Sequence, residues 1–161
     1  MRPSALWCSA ALMLPLAAPA ADDPPPVSEG LWDVLIHSTE QPGDKEHVFK
    51  YQICRTHEYD KRATALARSV PGCVMNSTLG ADGTFTTDGH CTVSGTVIES
   101  KGQSQSHGDA VHAEARATYT PALGGKTAEV DVSDEKLVGP CPPDMKPGDR
   151  IIDGVVRRAS R

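Results

Sequence analysis

Residues 73–91 read CVMNSTLGADGTFTTDGHC, two strand-like runs on either side of Ala81-Asp82-Gly83. A three-residue loop with glycine in its left-handed position is the chemistry of a bulged hairpin turn. With Asp82 at the centre, Leu79 faces Phe85, Met75 faces Gly89, and Cys73 faces Cys91. The stretch therefore predicts an antiparallel ribbon closed by a Cys73–Cys91 disulfide, and it makes an antiparallel sheet the frame for the rest of the chain.

Upstream, LWDVLIHST places Trp32, Val34 and Ile36 in one phase and Asp33, Leu35 and His37 in the other, which reads as a first strand. QPGDKE is turn chemistry. The following HVFKYQIC alternates Phe49, Tyr51 and Ile53 with Lys50 and Gln52, giving a hairpin whose six larger side chains share a surface. A helix is expected over residues 56–70, with Thr56 as N-cap, Glu58 and Asp60 near its positive end and Arg68 near its negative end. Tyr59, Ala63, Leu66, Ala67 and Val70 fall on one stripe of it, and Pro71-Gly72 stop it.

Downstream, CTVSGTVIES reads as one continuing strand of mixed polarity and KGQSQSHGD as a polar loop. Val111, Ala113, Ala115, Ala117 and Tyr119 alternate with His112, Glu114, Arg116 and Thr118, the pattern of a half-buried strand. After PALGG, the next strand is read with Ala128, Val130 and Val132 inward and Glu129 and Asp131 outward. IIDGVV is a short added edge strand, followed by the basic tail Arg157, Arg158 and Arg161.

The fold class expected is α+β, mainly β: a curved antiparallel meander of six to eight strands packed around one short helix. Residues 1–21 read as a signal peptide, with Arg2 ahead of an apolar stretch too short to cross a bilayer and Ala18-Pro19-Ala20-Ala21 as cleavage chemistry. Residues 22–28 form a proline-rich lead, 29–141 a single domain, and 142–161 a C-terminal extension. The reading places the protein outside the cytoplasm, in the periplasm or secreted, with no transmembrane segment.

The 161 residues carry 16 basic and 21 acidic side chains, a net charge of −5. With no basic patch to displace phosphate counterions, nucleic acid is excluded as a partner. Beyond residue 21 lie Cys54, Cys73, Cys91 and Cys141, and an even number in an exported chain indicates two disulfides. The hairpin claims Cys73 and Cys91, which leaves Cys54 for Cys141. Zinc would require closely spaced ligand pairs, and these cysteines are at least 18 positions apart.

The six histidines, His37, His47, His57, His90, His107 and His112, are scattered singly, so neither a metal nor another cofactor is expected. No serine sits in a nucleophile elbow. Trp32, Phe49, Tyr51 and Tyr59 are the candidate ligand-binding residues, set against the plainer reading that aromatics so few in number build the core.

In order along the chain, EGLWDV, YQICRT, GHC, LVGPC and MKPGD resemble the landmarks of the bacterial envelope family called domain of unknown function 3617. The matching positions are Gly30-Leu31-Trp32, Cys54-Arg55-Thr56, Cys73, Cys91 and Gly139-Pro140-Cys141, covering residues 29–150. The resemblance implies an antiparallel meander curved around a short helix, in a family whose function is unknown. The function expected is a non-enzymatic module binding a small apolar ligand or an envelope partner. The alternative is a structural or inhibitory interaction protein with a filled core, and a hydrolase ranks third.

Overall fold

The computed structural model describes residues 22–41 and 43–159; the expected signal peptide, with Trp7 and Cys8, lies outside them, as do Ser160 and Arg161. The fold is mostly antiparallel β with one short helix and two disulfides, Cys54–Cys141 and Cys73–Cys91. The strands are β1 (Gly30–Thr39), β2 (His47–Arg55), β3 (Cys73–Leu79), β4 (Phe85–Val93), β5 (Thr96–Ser106), β6 (Ala110–Leu123), β7 (Lys126–Gly139), β8 (Arg150–Ile152) and β9 (Val155–Arg157), with α1 spanning His57–Arg68. They form one nine-stranded sheet in the order β3-β4-β5-β6-β7-β1-β2-β8-β9.

The hairpin register is the one its turn predicts, with Leu79 opposite Phe85, Met75 opposite Gly89 and Cys73 opposite Cys91. Trp32, Val34 and Ile36 pair with Ile53, Tyr51 and Phe49, so the six side chains do share a face. Val111, Ala113, Ala115 and Ala117 join it through β7, opposite Glu135, Ser133, Asp131 and Glu129.

Several readings change. CTVSGTVIES is two strands, because Ser94 and Gly95 both take positive φ and turn the chain between β4 and β5, the backbone of a two-residue hairpin turn. The polar KGQSQS is the second half of β5, with Lys101–Ser104 paired by both β4 and β6 and Gln105 and Ser106 by β6. The phase of β7 is the reverse of the expected one. Leu137 and Glu135 stand opposite Trp32 and Val34, while Ala128, Val130 and Val132 take the outer phase, Val130 being exposed. Register with β1 decides this, since it sends Leu137 into the core.

The core is Val27, Trp32, Val34 and Ile53, with Ile36, Tyr51, Tyr59, Val111 and Leu137 packed against it. Val27 comes from the proline-rich lead, which therefore belongs to the domain rather than preceding it. From α1, Tyr59 packs against this core. The space over Trp32 is already filled, no α1 residue is buried, and Leu66 is 71% exposed.

The lead also bridges the sheet: Asp22 N–H donates to the carbonyl of Ser77 on β3, whereas Val27 joins Trp32 of β1 in the core.

Candidate functional site

Thr56 caps α1, its Oγ1 accepting from Tyr59 N–H at 3.2 Å. Arg55 then clamps the first turn: its Nε donates to Asp60 at 3.0 Å and its Nη1 to Glu135 at 2.6 Å, while its guanidinium lies 5.1 Å from the Trp32 ring. Burial pushes the Glu135 carboxyl above its usual range despite Arg55, and Asp60 adds to the rise. This clamp holds Tyr59 against the core and leaves the rest of the helical stripe facing outward.

The segment after Cys141 returns to meet that stripe. Gly148 N–H donates to the Cys54 carbonyl at 2.8 Å, and Cys54 N–H to the Asp149 carbonyl at 3.1 Å, extending the pairing of β2. Gly148 has φ +91°, and a Cβ there would lie 2.5 Å from Tyr59 Cε2, so only glycine lets the loop lie on the tyrosine ring. The Asp149 side chain accepts from the backbone N–H groups of Lys146 (2.8 Å) and Ala159 (3.0 Å) and from Arg158 Nη1 (2.6 Å). These bonds hold its carboxyl down at about 2.

Between α1 and this C-terminal segment lies a cleft of about 940 Å³. Tyr59, Ala63 and Leu66 form one apolar wall and Ile152 contributes from the other side; Lys146, Arg150 and Arg157 are among the cations lining it. Of the four aromatics singled out from sequence, Tyr59 alone lines this cleft. Trp32 is 0% exposed, and its Nε1 donates to the Ser28 carbonyl at 2.9 Å. Tyr51 lies under the Arg150 guanidinium, 4.9 Å from its ring centre, and burial raises its hydroxyl pKa. Phe49 is 55% exposed towards the far end of its strand. The aromatics share a sheet face but do not converge on one cavity. Sequence reasoning missed the contribution of residues 146–159. The one signal available was a basic segment carrying isolated apolar residues, Ile152 and Val155.

Two other polar clusters bear on chemistry. Tyr119 donates to Glu129 at 2.8 Å, and Lys126 bridges Glu129 and Glu40 at 3.0 Å each. Burial and the hydrogen bond to Glu129 push Tyr119 up to about 12; its proton and that of Lys126 are both held tightly. His112 Nδ1 lies 2.7 Å from Asp134, with Nε2 facing Glu114 at 3.7 Å. The Asp134 hydrogen bond, aided by Glu114, raises the His112 pKa, which favours an exposed imidazolium between carboxylates over a base directed at a nucleophile. Among the described residues, no three His, Cys, Asp or Glu side chains gather closely enough to hold a metal ion. On the outer sheet face, a groove of about 540 Å³ is lined by Asp88, Glu99, Lys101 and Arg116, whose charges offset one another.

No family model, curated protein or solved structure matches the chain, and no family is shown for it.

Proposed function

We propose that this is an exported, periplasmic, non-enzymatic module that binds a small apolar ligand in the cleft between α1 and the C-terminal segment. The observation carrying this reading is the pairing of an open cleft of ligand size with an unburied helical stripe, Leu66 being 71% exposed at its wall. Ligand pockets commonly fall in the range of about 300–1,000 Å³ and combine apolar walls with a few polar groups. Export is supported by the leader-like N-terminus and by two disulfides, which persist in oxidising compartments. No helix among the described residues is long and apolar enough to cross a membrane.

The test is titration with a neutral solvatochromic dye such as Nile red. Saturable one-to-one binding to the folded protein, lost in Leu66→Asp at unchanged melting temperature, is the expected result. No saturable signal up to about a millimolar, where binding is worth only about 4 kcal/mol, overturns it. The second reading, an interaction protein without a ligand, would then stand; it draws on the filled space around Trp32.

A further inference from the structure

Arg150 and Arg157 are directly opposed across the β8–β9 hairpin, so their side chains project from the same face. Like charges in that relation destabilise a hairpin. Arg150 is drawn over the Tyr51 ring, and Arg157 makes no ion pair among the described residues. Both line the cleft, with Arg62, Lys146 and Arg158, against a single lining acid, Asp149. That acid is 2% exposed and already engaged by Arg158 and two backbone N–H groups. Glu58, 3.9 Å from Arg62 and largely exposed, is the nearby counter-charge on α1. A chain with net charge −5 thus sets five cations against one lining acid where it also leaves an apolar wall open.

We propose that the cleft takes an anionic amphiphile as a monomer. A single acyl chain lies against Tyr59, Ala63 and Leu66, and a carboxylate or phosphate headgroup is received by the cations, Arg157 foremost. The proposal rests on the reading of the cleft as an apolar-ligand site and adds the charge of the ligand to it. Arginine suits the role because its planar guanidinium can meet either oxyanion with two parallel N–H bonds.

The experiment is calorimetric titration, below micelle-forming concentrations, with dodecanoate, dodecyl phosphate, dodecanol and butyl phosphate. Both dodecyl anions are expected to bind one-to-one, about tenfold or more tighter than dodecanol, and to lose that advantage as salt is raised to about 0.5 M. Arg157→Glu is expected to shift the two measurements in opposite directions. Removing the cross-strand repulsion leaves the melting temperature equal or higher, while the advantage of the anion over the alcohol shrinks to about twofold or less. Equal binding of dodecanol and dodecanoate overturns the charge assignment and leaves the apolar site standing. Butyl phosphate binding as tightly as dodecyl phosphate overturns the acyl assignment. No binding of any dodecyl compound overturns the apolar site as well. Association with anionic phospholipid vesicles without binding of the monomers identifies a membrane-surface contact and overturns the cleft proposal.

Discussion

Truncating Trp32 to alanine removes the largest fully buried side chain in the described fold together with its hydrogen bond to Ser28. Loss of a core aromatic costs about 3–5 kcal/mol, against a total stability of about 5–15 kcal/mol for a domain of this kind. Thermal unfolding followed by circular dichroism should show Trp32→Ala melting at least about 10 °C lower; an unchanged melting temperature would show that Trp32 is not a core anchor. Asp149 acts through protons. Its folded pKa of about 2 lies below the ordinary 3.8, so the stability it supplies is present above pH 3.8 and is lost as pH falls toward 2. Asp149→Asn has no such proton to gain. Urea midpoints measured from pH 7 to pH 2 should place the variant below the wild type at neutrality, with the gap closing between about pH 4 and pH 2. A gap constant with pH would mean that the carboxylate is not held by its three donors. The sequence marks Trp32 as an anchor because aromatics are so few. It does not mark Asp149, whose donors come from its own loop and from residues 158–159.

At the scale of elements, α1 stands apart because none of its residues is buried. A twelve-residue helix is marginal by itself in water, so α1 relies on the Thr56 cap, the Arg55–Asp60 pair, and Arg68, which donates to Asp23 at 2.8 Å and to the Ser77 hydroxyl at 3.1 Å. Hydrogen exchange under native conditions should find the amides of residues 61–68 opening at lower free energy than those of β1 and β7. Equal protection would place the helix in the same cooperative unit as the core. The β3–β4 hairpin is legible from sequence because its loop chemistry and its two cysteines independently name the same register. KGQSQS in β5 is not legible, since strand preference depends strongly on the neighbours a strand is given, and here those neighbours are supplied by β4 and β6 rather than by the segment itself. The inner phase of β7 is hidden for a related reason. Its carboxylates look outward until Arg55 and Tyr119 supply partners for Glu135 and Glu129. The cleft is half legible: the helical stripe announces one wall, while the other is assembled from a tail that reads as solvated charge.

For the whole molecule, the two disulfides differ in reach. Cys54–Cys141 spans 87 positions and Cys73–Cys91 spans 18. By chain entropy they contribute about 4.6 and about 3 kcal/mol, respectively. The double variant Cys54→Ser/Cys141→Ser should therefore lose more stability in urea than Cys73→Ser/Cys91→Ser; the reverse order would mean that native-state strain or residual unfolded structure outweighs loop length. The long bridge also ties the end of β2, just ahead of α1, to the approach of the C-terminal segment, and α1 and that segment frame the cleft. The short bridge lies wholly inside the span of the long one, and this nesting constrains the order of events in time. A chain emerging N-terminus first presents Cys54 and Cys73 to an oxidant before either native partner has arrived. We therefore predict that acid trapping of chains as they emerge N-terminus first into an oxidising medium will catch the 54–73 bond as an early species that must be reshuffled by thiol–disulfide exchange. Its absence would mean that hairpin closure outruns oxidation, so that the native 73–91 link is made before Cys54 finds any partner. In either case the outer bridge closes last, when the chain is nearly all present, and the cleft it helps to frame is among the final parts of the molecule to take shape.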